Sequence, residues 1–479
     1  MSVDAVLAHL KAQERKAIDR LIDWLRIPSI STDPAYRSET RRAAQWAADE
    51  LRRAGFAAEL HETGKPDRPG HPVVWATTPG KNVPKDAPHV LFYGHYDVQP
   101  PDPLDLWESP PFEPVIKPAD AGTPGQVPGE RIVARGAVDD KGQVATFIEA
   151  CRAWHEAAGG VPIRLTVLLE GEEETGSLNL GPYLEKHAAE LRECDVCVIS
   201  DTGMLGRGKP AITYGVRGLA YTECILHGPN QDLHSGMWGG RCPNPANELA
   251  KILSGLWDSQ RRVTIPGFYD GVKEPTPDER RSWAALPFSA NEALKGIGLP
   301  PAADVGESGW TAIEREWARP TCDINGIFGG YMGAGAKTVI ASKAGAKVSF
   351  RLVADQDPER IAESFKAWLH DRTPPGFRWE FHYHSGGYPG NVATDSPYLK
   401  AASRAVKAAA GSPPHLIKSG GSIPVVGMLK SMLGLDTILL GFGLDDDRVH
   451  SPNEKFELDC FRLGMESHAR LLDELSRLR

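Results

Sequence analysis

IRLTVLLEGEEE, residues 163–174, decides the fold. It is a strand of apolar and β-branched residues that ends in glycine and acid. HVLFYGHYDV (89–98) is a second such strand, running into a loop, and CDVCVISD (194–201) is a third. Helical periodicity covers 4–26 and 38–54, and 141–158 reads as a helix that starts after a D-D-K-G turn. Strands separated by helices predict an α/β domain with a mostly parallel sheet. In open α/β sheets, ligands bind beyond the carboxyl ends of the strands. Each strand here ends in residues able to do chemistry: His95 and Asp97, Glu173 and Glu174, and Asp201.

The pattern changes near residue 211. AITYGVRGLAYTECILHG and AKVSFRLVADQDP predict antiparallel strands, with helices at 245–257 and 358–371. Residues 260–330, rich in Pro, Gly and Trp, read as irregular. The α/β pattern returns at TDSPYLKAASRAVKAAAG, continues through DTILLGFG and closes in a helix at 456–478. The expected organisation is one domain of residues 1–210 plus 391–479, split in sequence around an inserted α+β domain of residues 211–390.

A chain of 479 residues is long enough to bury a core without disulfides or structural metal. The formal charge of -9 speaks against a nucleic-acid partner, which favours a basic surface. No apolar run is long enough to span a membrane. The N-terminal segment reads as an amphipathic helix rather than a signal peptide. Seven scattered cysteines, an odd number, point to a reducing, cytoplasmic setting. Cys194 and Cys197 form a C-x-x-C, yet they lie in an apolar run and read as strand residues. GGYMGAGAKT (329–338) resembles a phosphate loop only superficially, since it lacks the G-K-[ST] ending and a strand–loop–helix setting.

GHYDVQP, GAVDDKG, EGEEETGS, VISD and VHSPNE occur in that order, each where an α/β sheet would present a site. A lone G-H-Y-D is an ordinary loop; the ordered set is not. Together these motifs resemble the dipeptidase branch of the aminoacylase and carboxypeptidase G metallopeptidase family, the branch of cytosolic non-specific dipeptidase and carnosinase. The resemblance runs from about residue 10 to the C-terminus. It implies a zinc-exopeptidase-like catalytic domain, an inserted lid domain that carries a dimer contact, and two divalent ions, zinc or manganese.

Carried over motif by motif, His95 and Asp201 resemble ligands of one metal, and Glu174 and His450 ligands of the other. Asp139 resembles the bridging carboxylate, with a cis peptide to Asp140. Asp97 resembles the acid that orients the His95 imidazole. Glu173 resembles the general base that activates a metal-bridging hydroxide. Nitrogen and carboxylate donors without thiolate suit zinc, with manganese as the second choice. Glu172 and Asp140 stand beside the preferred acids and are second choices for their roles.

In the inserted domain, NQDLHSGMWGG (230–240) matches a further motif, in which His234 resembles a histidine donated by the partner subunit. Thr338 and Arg351 resemble the pair that holds the substrate carboxylate, Thr338 also crossing the dimer interface. Ser422 in GGSIP resembles another carboxylate contact. A guanidinium suits this task because it binds a carboxylate through two parallel hydrogen bonds. The implied activity is hydrolysis of the peptide bond of dipeptides or similar small peptides with a free carboxylate. The alternative is another small amide, such as an N-acyl amino acid or a succinyl-diaminopimelate-like compound.

Overall fold

The computed structural model describes residues 2–79, 83, 86–118 and 129–478. Most of the Pro/Gly-rich stretch 117–130 therefore lies outside the described residues. Two compact units emerge. The first is Met1–Tyr214, Val392–Ile417 and Leu429–Arg479; the second is Gly215–Asn391 with Lys418–Met428.

In the first unit, seven strands of the sheet run in the spatial order Ala57–His61, Val73–Thr77, Arg164–Glu170, His89–His95, Val196–Ile199, Thr437–Leu439 and Ala211–Val216. The central four pair in parallel, and the strands flanking them are antiparallel. This is the mostly parallel sheet expected from strands separated by helices. Register then places the chemistry. His95 lies opposite Glu170, and Tyr93 opposite Ile199. The segments that follow Glu170 and Ile199 carry Glu173, Glu174 and Asp201, so all emerge with His95 at one edge.

Helix Lys141–Ala158 is buried along every residue from Lys141 to Trp154. It starts beside the site because Gly142 lets the backbone pass close: a Cβ there would sit 1.8 Å from the Ala137 carbonyl oxygen. Phe147 of this helix stacks on Phe92 of the sheet with ring centroids 3.7 Å apart. Trp154 donates its indole N–H to the Ala469 carbonyl at 3.0 Å, joining it to helix Leu458–Ser476. The helices foreseen from periodicity form within a turn of their expected ends, as Val3–Leu25, Arg37–Arg53 and Pro358–His370 illustrate. Cys194 and Cys197 are buried free thiols.

The second unit is built on a four-stranded antiparallel sheet, in the order Thr321–Gly329, Lys343–Leu352, Gly218–His227 and Arg378–Gly387. Along Gly218–His227 buried and half-buried residues alternate, the signature of a strand with one covered face. Ala220, Cys224, Phe350, Phe365 and Trp368 share its core.

Two expectations need correction. Residues 260–330 are not irregular throughout: Pro277–Ala284 and Ala312–Trp317 are helices, and Thr321–Gly329 is a sheet strand. Both helices open with a capping box, Thr276 with Glu279 and Thr311 with Glu314. The T-x-x-E pattern marks each helix start within a stretch whose Pro and Gly content suggests irregular chain. Second, Lys418–Met428 belongs to the second unit rather than to the flanking 391–479 segment. Arg217 holds it there: its backbone N–H donates to the Ser419 and Gly421 carbonyls, and its Nε to the Gly420 carbonyl at 2.9 Å. After GGYMGAGAKT comes the strand Val339–Ile340, not a helix, so it makes no phosphate loop.

Candidate metal centre

The five motifs converge in the first unit. Asp139 lies at their centre with its two oxygens facing two different histidines. Its Oδ1 is 3.1 Å from His95 Nε2, and its Oδ2 is 2.9 Å from His450 Nε2. Asp201 Oδ2 lies 3.7 Å from His95 Nε2, and Glu174 Oε2 lies 3.3 Å from His450 Nε2. Two triples result, His95–Asp139–Asp201 and Asp139–Glu174–His450, each with ligand atoms within 4.8 Å of one another. Asp139 alone is common to both.

The neighbouring acids have other work. His95 Nδ1, the ring nitrogen facing away from Asp139, donates to the Asp97 backbone carbonyl at 3.1 Å with Asp97 Oδ1 at 3.3 Å, while Asp97 Oδ2 accepts the Glu174 N–H at 3.2 Å. Asp97 thus touches a residue of each triple, His95 and Glu174. Asp140 is joined to Asp139 by a cis peptide, and its Oδ2 turns back to accept the His95 N–H at 3.2 Å. Glu172 is buried and accepts from the backbone of His71 and Asn179 and from the Asn179 amide, so it anchors the turn that presents Glu173 and Glu174. Neither Glu172 nor Asp140 belongs to a triple.

Electrostatics follow from crowding acids into a buried space. Burial, reinforced by the Asp201 and Glu174 carboxylates, raises Glu173 to about 8 against the opposing pull of His95. Hydrogen bonds to Asp139 and then Glu174 raise His450 to about 10. Burial works against a charged His95, yet its bonds to Asp139, Asp201 and Asp97 raise it well above the ordinary imidazole value. The cluster thus attracts positive charge strongly. Two imidazoles and three carboxylates, with one carboxylate shared, fit a pair of divalent cations.

Comparison with known proteins identifies the family. Residues 91–474 match the model of peptidase family M20/M25/M40. The chain belongs to that family. It is 32% identical over 472 residues to the Cys-Gly metallodipeptidase DUG1 of Candida albicans, covering 94% of this chain and 93% of the relative. It is 29% identical to the human Beta-Ala-His dipeptidase, covering 99% of this chain and 93% of the relative. Among solved structures, the M20 family metallo-carboxypeptidase Sso-CP2 from Sulfolobus solfataricus matches with a TM-score of 0.76 and 32% identity, covering 96% of this chain and 99% of that one.

As an M20 peptidase the chain is a hydrolase, and its second unit brings the remaining residues together in two places. Arg351 Nη1 donates to Ser422 Oγ at 2.8 Å. Gly420, two residues before Ser422, is packed so tightly that a Cβ would come within 2.7 Å of Glu316 Cγ and 3.0 Å of Arg217 Nη2. His234 and Thr338 meet elsewhere in this unit: Leu233–His234 pairs with Val339–Ile340, and the Ser235 N–H donates to the Thr338 carbonyl at 3.1 Å. His234 is exposed, and its Nδ1 caps the short helix Ser235–Trp238. His382 and His384, on the strand Arg378–Gly387, pair with Glu380 and Glu223.

Two residues that support those above do not stand out in the sequence. Gln99, in GHYDVQP, donates its amide to Glu174 Oε2 at 2.8 Å. Arg217, in YGVRG, positions the loop that ends in Ser422. A polar residue flanking a motif offers no period or spacing from which to infer its partner.

Proposed function

We propose that this chain hydrolyses the peptide bond of dipeptides and similar small peptides that carry a free carboxylate. The observation that carries the proposal is Asp139, whose two oxygens serve two histidine-containing triples. His95, Asp139 and Asp201 would hold one divalent ion, and Asp139, Glu174 and His450 the other, with zinc the first choice and manganese the second. When bound, such a pair acidifies water and polarises a scissile carbonyl.

The protein supplies the rest. Glu173 takes a proton from the attacking water and later delivers it to the leaving amine. Burial raises its proton affinity and two bound cations would draw it back down, which suits a group that must both accept and return a proton. Asp97 keeps the His95 ring in the orientation that turns Nε2 toward Asp139. Arg351, Ser422 and Thr338 receive the substrate carboxylate, and His234 stabilises the oxyanion.

His234 and Thr338 are donated across a homodimer made through the second unit; both are exposed, and pairing of Leu233–His234 with Val339–Ile340 holds them close together, which supports this. The free cysteines support a reducing, cytoplasmic setting. The names of the Candida and human relatives favour dipeptides over N-acyl amino acids or succinyl-diaminopimelate-like amides. The purified chain, loaded with zinc or manganese, should be assayed on dipeptides, tripeptides and N-acyl amino acids. Dipeptide hydrolysis that a chelator abolishes is expected; faster cleavage of N-acyl amino acids would replace the proposal with its alternative.

A further inference from the structure

VHSPNE ends in Glu454, a residue to which the proposed chemistry assigns nothing. Glu454 is fully buried. A carboxylate in that position must be heavily compensated, and it is. Its Oε2 accepts from Arg135 Nη1 at 2.7 Å and from the Gly136 N–H at 2.9 Å. Its Oε1 accepts from the Val138 N–H at 3.0 Å and from the Asp139 N–H at 3.1 Å. The Glu454 carbonyl accepts the Ala134 N–H at 3.1 Å. One residue therefore grips the whole segment 134–139, which ends in the carboxylate shared by the two triples.

The same residue sits four positions beyond His450, whose Nε2 meets Asp139 Oδ2 at 2.9 Å. A closed ring results: Asp139 to His450 through side chains, His450 to Glu454 along the chain, and Glu454 back to the Asp139 N–H. The stretch between is conformationally demanding. Arg448, His450 and Asn453 have φ values of 56°, 59° and 63°, in the left-handed region that side chains disfavour. Anchors must hold them there. Asn453 supplies one, accepting the Glu108 N–H at 2.7 Å and donating to the Leu106 carbonyl at 2.8 Å. Glu454 supplies the other. Arg135, itself buried, also donates to the Pro100 carbonyl, three residues after Asp97.

We infer that Glu454 is a positioning residue that locks the loop of Asp139 to the loop of His450, so that both oxygens of Asp139 are presented in the spacing that two ions require. The inference rests on the metal reading above. Its chemistry is that of an acceptor: a carboxylate can face several N–H donors, whereas a glutamine must turn an NH2 group toward them.

The test is a zinc titration of the metal-free protein against a competing chelator, on the wild type, Glu454→Gln, Glu454→Asp and Glu50→Gln. Glu50 is a buried partner of Arg152 between helices Arg37–Arg53 and Lys141–Ala158, so its loss probes a buried ion pair away from the triples. Glu454→Gln is expected to weaken zinc binding about 10–100-fold. Glu454→Asp, which keeps the charge but withdraws it by one methylene, is expected to fall between the two. Glu50→Gln is expected to lower the melting temperature and leave zinc affinity unchanged. Amide hydrogen exchange of the metal-free chain gives a second readout, with residues 136, 138 and 139 exchanging faster in both Glu454 variants. Wild-type zinc affinity together with wild-type exchange in these variants would overturn the inference while leaving the metal reading intact. A wild type that takes up no zinc would instead overturn the metal reading itself.

Discussion

His468 makes the core beneath the site sensitive to acid. The residue is 1% exposed, and its ring meets Phe92, Phe147 and Phe442 edge-on. Its Nε2 shares a 2.9 Å hydrogen bond with the hydroxyl of Ser200, the residue before Asp201. Burial alone pushes its pKa down from 6.5 to about 3. With the folded value depressed, stability is fully present above pH 6.5 and drains away as pH falls toward 3, because only the unfolded chain takes up the proton. Between pH 7 and pH 5 the loss comes to about 2 kcal/mol, at 1.36 kcal/mol per pH unit below 6.5. Denaturant unfolding of the metal-free wild type and His468→Leu at pH 7, 6 and 5 isolates this contribution, since every other titrating group is common to both. The variant begins less stable, having left the Ser200 hydroxyl without its ring partner. The stability gap between the two chains should then narrow by about 2 kcal/mol by pH 5. A gap that stays constant would refute the assignment of a His468 that stays neutral in the folded chain down to pH 5.

Three further outcomes concern the proposed chemistry. Glu173→Gln should cut turnover about 10²–10⁴-fold with metal content unchanged, measured by steady-state assay and elemental analysis; retained turnover would remove Glu173 as the base. Arg351→Ala should raise KM for peptides with a free carboxylate and matter little for their C-terminal amides, so equal effects on both would reject the carboxylate role. Glu173→Gln and His234→Ala chains, each inactive alone, should regain about a quarter of wild-type activity when mixed and allowed to exchange subunits, because half the dimers are then mixed and each mixed dimer keeps one intact site. No recovery in dimers shown to have exchanged would mean that His234 serves its own subunit.

Much of this protein was legible in its residues alone. Periodicity marked the helices and strands, and the acids at the ends of 163–174 and 194–201 and the histidine of 89–98 announced the edge at which a site forms. This works because a parallel sheet delivers all its strand ends to one side, so residues far apart in the chain become neighbours by topology. The choice among adjacent acids was different. Glu172, Glu173 and Glu174 are chemically alike, and only the fold shows Glu172 turned to the His71 and Asn179 backbone while Glu174 faces His450. The placement of Lys418–Met428 with the second unit, and the grip of Glu454 on residues 134–139, were equally invisible. Those features are hydrogen bonds from side chains to distant backbone groups. They carry no period, no spacing and no preferred residue at the receiving end, so they exist only once tertiary packing has brought the two stretches together.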